Sequence, residues 1–220
     1  MDSTLLLALG VGLLFVIAIV AVVANRRRWQ RRAEEWAAAA AQLGLVVRPG
    51  IEGLEHLGHL SFFQKGHSRR IRNLIQGSAW GPEAWLGDFE WVTGSGKNRH
   101  RHRTSFCALR DPALALPRFE LRPESSLLDA IAGLFGAPDI DFEEDPAFSK
   151  AYRLTGAEPT AVRARFDPSV RSQLLQQPSP VPYLEGAGDT LLFQPGRLVE
   201  PAAAHQLLQK TQELRAIFRP

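Results

Sequence analysis

Seven residues, Asp139-Ile-Asp-Phe-Glu-Glu-Asp145, hold five carboxylates. In an extended chain Asp139, Asp141 and Glu143 share one face, while Ile140 and Phe142 bury on the other. Three hard oxygen donors on one side suit Mg²⁺ or Ca²⁺. The spacing is not that of an EF-hand loop, which needs a central Gly and a bidentate Glu at its twelfth position. The plainer reading is a solvated strand edge whose charge discourages edge-to-edge pairing. A second candidate is Lys97-Asn-Arg-His-Arg-His-Arg103, directly after Gly94-Ser-Gly96. Alternate residues of a strand place the His100 and His102 imidazoles on one side, a geometry open to Zn²⁺. The surrounding cations oppose a divalent ion, so the competing reading is an exposed basic hairpin tip that meets headgroups or an acidic partner. The two clusters make one metal-dependent site only if the fold brings them together.

Other local signatures of catalysis are missing. The chain has no phosphate-cradling Gly loop, no G-x-S-x-G elbow and no C-x-x-C pair. Its single cysteine, Cys107, lies in Phe106-Cys-Ala-Leu109 and reads as a small buried hydrophobe. Trp80, Trp85 and Trp91, with Phe62, Phe63 and Phe89, read as core in preference to a ligand groove. No cofactor is implied.

Patterning of the chain from residue 45 onward predicts the elements that would carry these residues. Leu45 to Arg48 reads as a short strand stopped by Pro49-Gly50, and residues 51 to 60 as a short helix or irregular turn. Strand patterns follow at 61–64, 70–77, 84–92 and 103–109, punctuated by Gly66, Gly77, Gly81-Pro82 and Gly94-Ser-Gly96. Within 84–92, Trp85, Gly87, Phe89 and Trp91 fall on one face, opposite Leu86, Asp88, Glu90 and Val92. This predicts an antiparallel meander with one face covered. A strand at 119–121, a helix capped by Ser125, a strand at 148–154 and helices at 159–166 and 168–176 come next. A hairpin at 183–193 and a final helix at 201–218 complete the set. The fold class is α+β, a mostly antiparallel sheet packed with several helices.

The strongest signal lies before all of this. Thr4 to Ala24 is an unbroken run of 21 residues without a charged side chain. At about 1.5 Å per residue it reaches about 31 Å, the thickness of a hydrocarbon core. Gly10 and Gly12 lack the four-residue spacing of a close helix-dimer seam, so oligomeric state is left open. Arg26, Arg27, Arg28, Arg31 and Arg32 follow at once, with Trp29 among them. Arginine is retained on the cytoplasmic side, so the asymmetry predicts an N-terminus outside and a soluble domain in the cytoplasm. A cleaved signal peptide would carry its charge on the other flank. The five arginines and Trp29 are expected at the lipid headgroups.

The whole chain carries a net charge of +3. The juxtamembrane arginines alone exceed that, so the remainder is close to neutral and nucleic acid is not an expected partner. The organisation expected is an anchor at 1–25, a juxtamembrane helix at 26–44 and an α+β domain at 45–220, with a candidate subdivision near 113.

Two stretches, Leu116-Pro-Arg-Phe-Glu-Leu-Arg-Pro-Glu124 and Asp139 to Gly156, resemble a group of bacterial proteins with one N-terminal membrane helix and a soluble domain of unknown function. The likeness covers mainly residues 80 to 175. It implies a bacterial membrane-anchored protein and carries over no catalytic residue. The leading expectation is therefore a single-pass interaction module, facing the lipid bilayer and binding a protein partner or anionic headgroups. The alternative is a membrane-tethered, metal-dependent enzyme built on the 139–145 carboxylates.

Overall fold

The computed structural model describes residues 3–48, 57–78, 81–124 and 139–219, with side chains from residue 11 onward. The helix predicted after Ser125, the start of the 51–60 segment and Trp80 lie outside the described residues.

The chain opens on one helix, α1 (Ser3–Leu43), of 41 residues. It is about 62 Å long, with no Pro to interrupt it. The apolar run and the arginine-rich segment are thus one rod. Gly44 ends it at φ +68, where a left-handed residue is needed and Gly carries no Cβ penalty. The Leu45 amide donates to Ala40 O at 2.8 Å and the Gly44 amide to Ala41 O at 3.3 Å, so two of the last four carbonyls are satisfied within the turn. From Val11 to Val23 the large apolar side chains are exposed, Leu14 and Phe15 each at 68%. Past the arginines the helix changes character: Trp36, Ala39 and Ala40 are buried against the sheet. Among the described residues no helix is long and apolar enough to cross a membrane. The first seven residues of the expected span, Thr4 to Gly10, precede those whose side chains are described.

An eight-stranded sheet follows, all of its pairings antiparallel, with spatial order β1-β2-β3-β4-β8-β7-β5-β6. Its strands are β1 (Val46–Arg48), β2 (His67–Ser78), β3 (Glu83–Thr93), β4 (His100–Arg110), β5 (Leu116–Pro123), β6 (Tyr152–Gly156), β7 (Leu184–Gly188) and β8 (Thr190–Phe193). β2, β3 and β4 form the expected meander. The β7–β8 hairpin turns at Gly188 and Asp189, and β8 closes on β4. One sheet therefore runs across the suggested boundary near residue 113.

Both faces are covered, where one was expected. Helices α1, α2 (Pro146–Ala151), α3 (Pro159–Arg165), α4 (Pro168–Leu175) and α5 (Ala204–Ile217) enclose one core, which includes Leu86, Cys107, Phe119, Phe148, Phe166 and Phe218. The other face buries Trp85, Phe89, Trp91, Phe106 and Tyr183 under the 57–64 segment. The β3 alternation places its aromatics on that second face, as its spacing predicts.

Two local expectations fail. Ser61–Gln64 is a 3₁₀ turn, not a strand. Its consecutive Phe62 and Phe63 are both buried, which strand alternation would forbid. The 148–154 segment begins as helix α2, because Asp145 caps it through the Phe148 amide and Pro146 occupies the first turn. Only from Tyr152 does it become β6.

Candidate functional site: the junction of the long helix and the sheet

The residues of α1 that touch the sheet, Trp29, Arg32, Trp36, Ala39, Ala40 and Leu43, recur every three or four positions and so make one stripe. Arg32 sits in the middle of it. Its Nε donates to Asp88 Oδ2 at 2.7 Å and its Nη2 to Asp88 Oδ1 at 2.8 Å, a two-pronged pair. The same Nη2 donates to Val199 O at 2.8 Å. Asp88 is 2% exposed. It also accepts from Asn73 Nδ2 at 2.9 Å and from Ser105 Oγ at 2.7 Å.

Local backbone sets up this acceptor. The β2–β3 register slips between Arg72 and Ile75, and Asn73 adopts φ 55 inside the irregularity. Asn tolerates that conformation better than most residues. Gly87 lies opposite: a Cβ there would stand 3.1 Å from Arg72 O, so the close strand approach favours glycine. A pair this buried is worth little against an apolar substitute, but removing one partner strands the other charge.

Two grooves flank α1 where its apolar run ends. One, of about 590 Å³, lies between α1 and the β1–β2 edge, lined by Arg26, Trp29, Trp36, Val47, Arg48 and Arg72 among others. Within it the Arg72 guanidinium carbon stands 5.0 Å from the Trp29 ring. The Trp36 indole Nε1 and Arg72 Nε are shielded from solvent without a hydrogen-bond partner. The other groove takes in Arg27, Arg28, Arg31, Arg32 and Arg103, together with Glu35 and Glu200. There Arg32 is already committed to Asp88, and Arg103 to Glu90 at 2.7 Å.

A second polar cluster lies on the opposite face, unforeseen from the sequence. Glu120 of β5 and Glu185 of β7 are cross-strand partners. Glu185, fully buried, accepts from the Ser61 amide at 2.6 Å, the Phe62 amide at 2.9 Å and Tyr183 Oη at 2.9 Å. Ser61 Oγ contacts Glu185 at 2.8 Å and also Glu120. One hydroxyl proton serves one acceptor well at a time, so the second contact is filled when an acid keeps its proton. Burial, and then the Glu120 charge, push the Glu185 carboxyl up. Lys65 lies beside them with its ammonium 3.6 Å from the Tyr183 ring, and burial lowers it to about 8. The visible job of this cluster is to pin the 57–64 segment on the sheet, supplying an acceptor for amides that open the 3₁₀ turn. The available signal was the pair of acids at inward strand positions, in Phe119-Glu-Leu121 and Tyr183-Leu-Glu185.

The predicted metal residues do not converge. β4, which begins at His100, is separated from β6 by β8, β7 and β5, about 19 Å of sheet. Asp139 bridges to Thr155 beside β6. The His102 ring stacks on Trp91 at 5.0 Å and hydrogen-bonds Thr93 Oγ1 at 2.7 Å through Nε2. Burial and the charge of His100 lower its pKa. His100 is exposed. The acidic stretch keeps its predicted alternation, with Ile140 and Phe142 buried, but serves the fold. Asp139 Oδ1 accepts from the Leu154 amide, and Asp145 caps α2 and pairs with Arg171 at 2.9 Å. Asp141 and Glu143 are exposed. Among the described residues no group of three or more His, Cys, Asp and Glu is placed to hold a metal ion.

The expected headgroup residues divide. Arg26, Arg27, Arg28 and Arg31 are exposed. Arg32 instead turns into the sheet, and Trp29 lies against the Arg72 and Arg103 guanidiniums at 5.0 and 5.2 Å. The reason is the stripe: residues 29, 32 and 36 share the docked face, whereas 27, 28 and 31 do not.

A solved structure shares this fold. It is the crystal structure of the mycobacterial trehalose monomycolate transport factor A, TtfA, with a TM-score of 0.59 at 11% identity. The alignment covers 85% of this chain and 94% of that one. At this identity the likeness concerns the fold alone. No family model matches the sequence, and no curated protein does.

Proposed function

We propose that this chain is a single-pass, membrane-anchored docking module without catalytic chemistry of its own. Thr4 to Ala24 would enter the bilayer, the N-terminus would lie outside, and the sheet domain would stand at the cytoplasmic surface to bind a protein partner or anionic headgroups. One observation carries the reading: a single unbroken helix is bare and apolar over its first part and locked to the sheet over its last. Contiguous exposed apolar surface of that size marks an interaction with lipid or protein. The continuity of α1 makes the domain an extension of the anchor, held at a fixed attitude instead of on a flexible tether. The protein sharing the fold is named a trehalose monomycolate transport factor, and on that likeness a transport assembly in the same membrane is the partner class we favour. The alternative, a metal-dependent enzyme on the 139–145 carboxylates, would have to work without His100 and His102, which lie across about 19 Å of sheet from β6.

Crosslinking of the full chain in native membranes, followed by identification of the captured proteins, tests the docking role. Resistance to alkaline extraction and a C-terminal reporter test the anchor and its orientation. Extraction of the chain by alkali, or recovery of no partner together with no binding to vesicles, refutes the proposal.

A further inference from the structure

We propose that the groove between α1 and the β1–β2 edge binds the phosphate-bearing headgroup of an acidic lipid from the bilayer that α1 enters. This rests on the anchoring proposed above and gives it a site. The groove carries Arg26, Arg48 and Arg72, and no acidic side chain lines it. Among the described residues none of the three arginines is in an ion pair. The opposite groove differs on both counts, since Glu35 and Glu200 line it and two of its arginines are already paired.

The second observation is the state of Arg72, which lines the groove and whose Nε has no hydrogen-bond partner. An oxygen-rich ligand on this guanidinium would supply acceptors that the protein does not. Arginine's planar fork is suited to phosphate oxygens.

Position decides the source. Asn25 and Arg26 line the groove and directly follow Ala24, where the apolar run stops. Trp29 is five residues further, about 7.5 Å along the axis, which is within the headgroup layer. Arg72 is level with it, its guanidinium 5.0 Å from that ring. A headgroup phosphate held in the bilayer is presented at that level, whereas free phosphate is not confined to it.

The test uses the full chain in neutral phosphatidylcholine vesicles or nanodiscs, doped with phosphatidylglycerol, with bound lipid counted by native mass spectrometry. Phosphatidylglycerol should be retained at least tenfold over phosphatidylcholine. Arg48→Ala with Arg72→Gln should remove most of that preference. Arg27→Ala with Arg28→Ala, on the opposite groove, should leave most of it. Arg48 is exposed on a short edge strand, so Arg48→Ala alone gives a folded variant and should still lower retention. Equal retention of the two lipids, or no change in the Arg48 and Arg72 variants, overturns the site. Competition by millimolar inorganic phosphate as effective as that by the lipid overturns the lipid source. Failure of the wild-type chain to float with neutral vesicles refutes the anchor instead, which separates the two claims.

Discussion

Removing the Arg32 side chain should cost far more than removing any of its arginine neighbours. In Arg32→Ala the Asp88 carboxylate, 2% exposed, keeps Asn73 and Ser105 as donors but loses its counter-charge. An uncompensated buried charge of this kind costs about 3–5 kcal/mol. Arg28→Ala, an exposed site on the same helix, should stay within about 0.5 kcal/mol. Urea unfolding of the detergent-solubilised full chain measures both. With a slope of about 2 kcal/mol/M, the Arg32 variant's midpoint should fall by about 2 M, and that of Arg28→Ala should barely move.

The double variant Arg32→Met with Asp88→Leu sharpens the test. It removes both charges and substitutes apolar groups, so it should recover at least half of the loss, because such a pair contributes little net against hydrophobic replacements. The double-mutant cycle then isolates the coupling between the two positions. The reasoning is refuted if Arg32→Ala costs no more than Arg28→Ala, as a side chain resting at the headgroups would. It is also refuted if the double variant is no better than the single one.

Three further outcomes follow from the second face and the core. Lys65 is lowered to about 8 by burial, so the folded chain gives up that proton before the unfolded one, whose lysine titrates near 10.5. Stability should therefore rise between these two pH values, by no more than about 3 kcal/mol, and Lys65→Met should abolish the rise in pH-dependent urea titrations. Glu185 is raised, so its contribution runs the other way: the folded state holds the extra proton and stability falls as pH climbs through its folded pKa. Glu185→Leu should remove that dependence and leave the Ser61 and Phe62 amides without their acceptor, seen as faster hydrogen exchange at those two amides. Cys107, buried and pushed up to about 12, should resist a thiol reagent in the folded chain and react only with denaturant present.

The elements that were legible from the sequence are those whose signals are local. The β3 alternation, the helix end at residue 44, the helices opened by Pro159 and Pro168, and the hairpin around Gly188-Asp189 all lie where spacing and punctuation put them. The failures share a physical cause, which is that tertiary partners decided them. Phe62 and Phe63 look like strand residues until the second sheet face needs two consecutive anchors, and a 3₁₀ turn can supply them. The 139–145 carboxylates look like ligands until Asp145 is seen capping α2 and Asp139 holding the edge of β6. Glu120 and Glu185 are 65 residues apart in sequence, and only the β5–β7 pairing makes them neighbours.

The arginines after Ala24 show how far composition can carry an argument. As a group they predict a topology, because arginine resists crossing a bilayer. As individuals they do different work, set by an angle of about 100° per residue around the helix. Arg32 is in register with Trp29 and Trp36, so the sheet takes it and fixes the domain to the rod. Arg26 opens toward the β2 edge, where Arg48 and Arg72 wait without counter-charges. Arg27, Arg28 and Arg31 are exposed. A substitution that keeps the count of positive charges but moves one by a single position would preserve the topology signal and break the lock. Shifting the arginine from 32 to 33 should therefore reproduce the instability of Arg32→Ala at unchanged net charge, an outcome no reading based on net charge would expect.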